Sequence, residues 1–422
     1  MRPTPALLAH AESALVELLT FSRPADQALS AYFRSHRELG QQDRAFVAET
    51  VFAVLRRKRS LEMAAGSAAP HALAVAALVR VFGISGRAFQ DHDADLVTRI
   101  KSAQNSAFPE AVQADLPDWL WTRLSAEYSA EEAMAIARGL LNPAPLDLRV
   151  NLAKLSREEA LARLDLEMAP TPLEGTPTAF SPAGIRLKGK PQINRHALFL
   201  DGSLEVQDEG SQLLAYLLAP RRGEMVADFC AGAGGKTLAI SMLMHGTGRV
   251  YAMDVSEKRL RELAPRAARA GISNVHTIVL AGEGDVRAKR LTGKLDRVLV
   301  DAPCSGFGTL RRNPDLKWRH GEGAIAELAA KQSRILKAAA KLLKPGGRLV
   351  YATCSILSEE NEAVADRFVS EHPEFIGLSC TELLATQRIA LDTGDRLRLW
   401  PHRHALTASS PPPTSGASAA RP

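Results

Sequence analysis

Two of the four cysteines in this 422-residue chain directly follow short apolar runs. One run, Arg297 to Val300, leads into Asp301-Ala302-Pro303-Cys304-Ser305-Gly306; the other, Arg348 to Ala352, leads into Thr353-Cys354-Ser355. A single Cys is more often a small buried hydrophobe than a reagent. Two of them just past the carboxyl ends of strands occupy the place where open α/β sheets bind ligands, and that shared placement favours chemistry over packing. Upstream, a strand ending at Asp228 enters the loop Phe229-Cys230-Ala231-Gly232-Ala233-Gly234-Gly235-Lys236-Thr237 and then an apolar helix. Such a loop lets a ligand approach the backbone closely, with a helix N-terminus facing its negative group. The next run, Val250-Tyr251-Ala252-Met253, ends in Asp254, an acid able to accept both hydroxyls of a ribose.

The glycine loop has a rival reading. A P-loop, G-x-x-x-x-G-K-[ST], would be completed by Gly235-Lys236-Thr237, with Val298 to Asp301 as its acidic strand end. Cys230 stands where the first glycine belongs, and Asp254 favours a bare ribose, so a nucleoside triphosphatase is the weaker fit. Beyond the first cysteine motif, Arg311-Arg312-Asn313-Pro314-Asp315-Leu316-Lys317-Trp318 offers cations for a phosphodiester and an indole for stacking a base. An ordinary charged surface loop explains the same residues when they are taken alone.

These motifs need elements to position them. Residues 1–141 show apolar side chains at three- and four-residue spacing, as in Phe46-Val47-Val51-Val54-Leu55, and are expected to form an all-α domain. Its basic residues Arg44, Arg56, Arg57, Lys58 and Arg59 suit either an RNA-facing surface or a solvated helix face. Asn142-Pro143-Ala144-Pro145 breaks the pattern, and residues 142–219 read as a small α/β connector. From 220 to 405, buried runs at Met225–Phe229, Arg249–Met253, Val275–Leu280, Arg297–Val300 and Arg348–Ala352 alternate with helices, which predicts a parallel, doubly wound sheet. The tail 406–422 is dominated by Ser, Pro, Ala and Thr and is expected to be disordered.

Composition sets bounds on the whole. Hydrophobic residues make up 46% and charged residues 24%, the balance of a globular enzyme, and the net charge of +6 suits a phosphate-bearing partner without demanding one. The cysteines lie far apart with no metal-ligand spacing, so no metal and no disulfide framework is expected. No run approaches the roughly 20 apolar residues of a membrane span. A cytoplasmic, monomeric protein without membrane contact is the simplest expectation.

The strings D-F-C-A-G-A-G-G-K-T, D-A-P-C-S-G-x-G-T-x-R-R-N-P-D-x-K-W and Y-A-T-C-S-x-x-x-x-E-N-E, in that order, resemble the Nop/Sun family of RNA cytosine-C5 methyltransferases. Val206-Gln207-Asp208-Glu209-Gly210-Ser211-Gln212 is similar to the segment preceding that family's catalytic domain. Ala25-Asp26 and Leu39-Gly40-Gln41-Gln42-Asp43-Arg44 are similar to the NusB-type domain of its bacterial small-subunit rRNA members. The resemblance implies a Rossmann-like fold, S-adenosylmethionine as cofactor and RNA, foremost 16S rRNA, as substrate. It implies Cys354 as the thiolate that adds to cytosine C6, Cys304 as the cysteine that assists product release, and Asp301 at the cytosine edge. For the cofactor it implies Cys230, Ala231, Gly232, Ala233, Gly234, Gly235 and Lys236 at the methionine and ribose, Lys236 pairing with the methionine carboxylate. Asp254 is then implied at the ribose, and Asp285, in preference to Glu283, at the adenine, with Asp301 close by. Arg311, Arg312 and Lys317 become the candidate RNA contacts.

The chain departs from the family at its end. Pro401-His402-Arg403-His404 runs into the low-complexity tail in place of a D-G-F-F-type strand, so the last strand of the sheet is expected to be missing, leaving unpaired backbone or a replacement contact from another segment. A tRNA substrate, the triphosphatase reading, and a catalytically inactive RNA-binding assembly factor remain as alternatives.

Overall fold

The computed structural model of the protein describes residues 3–166 and 173–404, so the expected disordered tail lies outside the described residues. The first helix, Pro5–Leu18, starts where Thr4 Oγ1 accepts the amide of Leu7 and Pro5 supplies a fixed φ in the first turn. Helices Ala25–Ser35, Gln41–Arg56, Lys58–Ala65, Pro70–Arg80 and Ala94–Ser102 follow, and their apolar faces meet in one core around Leu15, Val47, Val51, Leu55 and Leu73. This is the all-α region that the helical spacing predicts. None of the described helices is by itself long and apolar enough to cross a membrane.

A second, antiparallel sheet follows. Its strands β1 (Leu146–Val150), β2 (Gly175–Pro177), β3 (Gly184–Leu187) and β4 (Leu204–Val206) lie in the order β2-β3-β1-β4. Leu148, Val150, Ile185 and Leu187 close its core. The division into helical region and connector is less clean in packing than a break at residue 141 suggests. Helices Asp118–Glu127 and Ala130–Leu140 share a core with Phe307, Leu310, Ile356 and Leu357 of the next region.

That region holds β5 (Met225–Asp228), β6 (Arg249–Asp254), β7 (Val275–Val279), β8 (Leu295–Asp301) and β9 (Leu343–Ala352), all parallel in the order β7-β6-β5-β8-β9. Each of the five apolar runs is a strand. The chain leaves β5 in one direction for β6 and β7, then returns to the other side for β8 and β9, which creates a switch point between β5 and β8. Among the described residues no further strand pairs with β9, and Ile376 and Leu378 beyond it stand exposed; the divergent end of the sequence from residue 405 on lies outside the described residues. Ile389 and Leu391 pack with Leu384 on Leu213, Tyr216 and Leu217 of helix Glu209–Leu218.

Candidate active site

Three neighbouring strands, β6, β5 and β8, end in Asp254, Asp228 and Asp301, so three carboxylates gather at the switch point. The glycine loop bends over them. Gly234 has φ +85°, and a Cβ there would lie 2.2 Å from Leu263 Cδ1, so only glycine lets the loop close against that helix. Gly232, at φ +55°, has nothing nearer to such a Cβ than the Arg259 guanidinium at 3.9 Å, which leaves open space above the loop.

Asp254 is tied to this loop. Its Oδ2 accepts the amide of Gly232 at 2.8 Å and its Oδ1 the amide of Ser256 at 2.7 Å. Each oxygen keeps a second lone pair, which suits a pair of ribose hydroxyls. Thr237 Oγ1 donates to Asp228 Oδ2 at 2.8 Å, while Asp228 Oδ1 is buried without a partner, and burial pushes this carboxyl up to about 6. Open space, paired acceptors and an orphaned buried oxygen fit an adenosyl cofactor carrying an α-amino group. They fit a triphosphate poorly, because three strand-end carboxylates repel it and Gly232 has already given its amide to Asp254.

Lys236, expected at the cofactor's carboxylate, is bonded elsewhere: its Nζ lies 2.6 Å from Asp301 Oδ2. Burial favours the neutral amine, but the Asp301 carboxylate outweighs it and holds the ammonium above its ordinary range. Beside this pair, Cys304 Sγ and Cys354 Sγ are 3.3 Å apart, both as free thiols. The hydrogen bond from Cys304 lowers Cys354 below the ordinary thiol value; Lys236 adds to this, while burial and Asp301 oppose it. Cys304 is pushed up by the same bond and by burial. One thiol is thereby biased toward thiolate and its neighbour toward S–H. Cys230 is also pushed up, chiefly by burial, and is a packing residue of the loop.

Sequence reasoning missed what holds the two cysteine loops together. Glu360, fully buried, accepts the amide of Ser305 at 2.8 Å, the hydroxyls of Ser305 and Ser355 at 2.5 Å each, and Gln332 Nε2 at 3.0 Å. The Gly308 amide donates to Cys354 O at 2.8 Å, and a Cβ on Gly308 would meet that same oxygen at 2.8 Å. Asn361 Nδ2 donates to Ser355 O and Leu357 O. A signal was available in Gln332, a buried polar residue on the face that also carries Ile335 and Leu336 of helix Gly323–Ala340.

Asp285, placed at the adenine by resemblance, caps a short helix. It accepts the Ala281 and Arg287 amides and both Nε and Nη2 of the Arg287 guanidinium, which holds its carboxyl well below the usual carboxylate range. With those four donors in place an incoming amino group must displace Arg287. Glu283 pairs with Arg334.

The basic loop needs correction. Lys317 is buried, at 2% exposure, and its Nζ donates to Arg56 O at 2.7 Å and Asp115 O at 2.6 Å, so it is unavailable to RNA phosphate. Trp318 Nε1 donates to Leu55 O, and the Lys317 and Lys58 ammoniums lie 4.9 and 5.6 Å from its ring centroid, so the indole is committed to the contact with the helical region. Lys317 and Trp318 satisfy the free carbonyls that end helix Gln41–Arg56. Arg311 donates to Asn142 O and Pro143 O, and Arg312 to Pro145 O and Asp208, though both stay partly open to solvent. Most cations of the helical region are likewise engaged: Arg56 with Arg311 O, Arg59 with Leu116 O and Asp118, Lys58 with Glu62.

Comparison with known proteins agrees with this geometry. Residues 215–408 match a family described as 16S rRNA methyltransferase RsmB/F, and residues 116–194 match the ferredoxin-like domain described for RsmF/B-like methyltransferases. The chain is similar to a probable ribosomal RNA small subunit methyltransferase B of Synechocystis, 36% identical over 69% of this chain and 65% of that protein. It is also similar to the ribosomal RNA small subunit methyltransferase B of Sodalis glossinidius, 40% identical over 61% of this chain and 58% of that one. The match thus spans less than two thirds of each relative's length, 65% of one and 58% of the other. Among solved structures, the protein PH0851 superposes with a TM-score of 0.75 at 25% identity, covering 96% of this chain and 98% of that one.

Proposed function

We propose that this member of the RsmB/F methyltransferase family is an S-adenosylmethionine-dependent RNA methyltransferase that forms 5-methylcytosine in small-subunit rRNA. The observation that carries the reading is the 3.3 Å pair of unlike thiols beside the Lys236–Asp301 ion pair, at the mouth of a glycine loop suited to an adenosyl group. Cytosine C5 is a poor nucleophile. Addition of the Cys354 thiolate to C6 turns the ring into an enamine and makes C5 reactive. The cofactor supplies an electrophilic methyl group; the loop from Cys230 to Lys236, with Asp254 and Asp285, would hold it.

Each remaining residue then has a task. Asp301, with Oδ2 on Lys236, can accept the exocyclic amino group of the cytosine and so orient the base. Lys236 offsets part of the upward push of that carboxylate on Cys354. When a water molecule has taken the C5 proton, the freed electron pair reforms C5=C6 and expels Cys354 as its thiolate, to which the Cys304 thiol, 3.3 Å away in the resting pair, can donate. The partly open Arg311 and Arg312 are the remaining candidates for backbone phosphate on that loop. If the base lies in a stem it must be unstacked at a cost of a few kcal/mol, so a loop or helix end is the easier target.

The test is methyl transfer from labelled S-adenosylmethionine to small-subunit rRNA and to tRNA. Wild type should label cytosine C5 in the rRNA, Cys354→Ala should be silent, and Cys304→Ala should accumulate a denaturant-resistant RNA adduct. Label confined to tRNA would replace the substrate, and activity in Cys354→Ala would remove the assigned nucleophile.

A further inference from the structure

A second constellation lies in the helical region, outside the methyltransferase cleft. Helix Pro5–Leu18 contributes Glu12, helix Pro70–Arg80 contributes His71 from its first turn, and the 3-10 turn Asp91–Asp93 contributes His92 and Asp93. Glu12, His71, His92 and Asp93 line a cavity of about 130 Å³. His71 Nε2 is 2.8 Å and His92 Nε2 3.7 Å from Asp93 Oδ1, and the ligand atoms of the three all fall within 4.8 Å of one another. The other nitrogen of His71, Nδ1, is 3.2 Å from Glu12 Oε2. Asp93 is 3% exposed, and its Oδ2 is buried with no hydrogen-bond partner.

We propose that His71 Nε2, His92 Nε2 and the Asp93 carboxylate form a divalent transition-metal site of zinc type, with the fourth position open to the cavity. Ligands about 2.0–2.2 Å from a tetrahedral zinc stand roughly 3.3 Å apart, and the observed separations bracket that value. An ion entering between them draws His92 in and separates His71 from Asp93 by a few tenths of an ångström. Glu12 takes the outer role common at such sites: a carboxylate on Nδ1–H fixes the tautomer that presents Nε2 to the metal. Two imidazoles and one carboxylate suit zinc, cobalt or nickel better than magnesium or calcium, which prefer all-oxygen shells. A His71 clamped between two carboxylates would account for Glu12 and Asp93 Oδ1 alone. It leaves the orphaned Oδ2 and the approach of His92 unexplained. Bound metal would tie three separate elements of the helical region together.

The test uses the full chain, stripped with chelator and titrated with Co2+ and then Zn2+. Expected is one Co2+ per chain with visible d–d absorption and no thiolate charge-transfer band, displaced by Zn2+, together with a rise in Tm. His92, exposed at its ring, can be changed without disturbing the core, and His92→Ala should weaken binding at least about tenfold; Glu12→Gln should weaken it by about 10- to 100-fold through loss of the outer carboxylate. Unchanged affinity in His92→Ala would overturn the site. So would a thiolate band that disappears in Cys354→Ala, which would place the metal at the paired cysteines.

Discussion

A cysteine becomes a nucleophile through its neighbours, and Cys354 has two that matter at residue scale. The Cys304 thiol donates to it and Lys236 places positive charge nearby, while Asp301 and burial act in the opposite direction. Replacing Lys236 by Met removes the cation and also leaves Asp301 uncompensated, so both changes push Cys354 upward. A thiol reacts as its thiolate, whose fraction rises with pH through the pKa. The midpoint for alkylation of Cys354 by iodoacetamide, followed by mass spectrometry, should therefore move about one unit to higher pH in Lys236→Met. Methyl transfer at neutral pH should fall about tenfold with it. An unmoved midpoint would mean that Lys236 serves the cofactor and leaves the thiol alone.

At the scale of elements, reactivity depends on the loops after β8 and β9 keeping their register, and Glu360 is the group that joins them. Its two oxygens receive four donors from Ser305, Ser355 and Gln332. Glu360→Gln puts an NH2 where an acceptor is needed, and one buried donor left unsatisfied costs about 1–3 kcal/mol. Thermal denaturation should show a lower Tm. Transfer should drop at least about tenfold in kcat with cofactor affinity unchanged, because the glycine loop does not touch Glu360. Equal losses in cofactor binding would point to general unfolding. The same elements show what was legible in the sequence. Strand ends announce themselves because an apolar run must stop where the sheet meets solvent, so Asp228, Asp254, Asp301 and the two cysteines could be placed at one edge. Glu360 could not be singled out from Glu359 and Glu362, since burial depends on packing between distant segments. Lys317 and Trp318 misled for a related reason: a cation or an indole looks the same in sequence whether its partner is a phosphate, a base or the carbonyl end of another domain's helix.

At the scale of the molecule, that misread loop adds a polar contact to the apolar core through which the helical region packs on the parallel-sheet region. Lys317 enters the helical region and closes on the carbonyls of Arg56 and Asp115 within a fully desolvated contact, and burial lowers its ammonium to about 7. The sign of the resulting pH dependence follows from proton counting. Between about pH 7 and the ordinary lysine value near 10.4 the unfolded chain binds the proton that the folded chain has released, so stability rises with pH across that window. Asp115, raised by its own burial, acts in the opposite sense from the ordinary carboxylate range upward. Lys317→Met leaves two buried carbonyls without a donor and abolishes the lysine titration. The stability difference between wild type and Lys317→Met, measured by urea denaturation, should therefore widen from pH 7 to pH 10, by at most about 1.4 kcal/mol per pH unit. A difference that stays constant over that range would show that Lys317 keeps its charge in the contact, held there by the two carbonyls and the nearby Asp115 carboxylate.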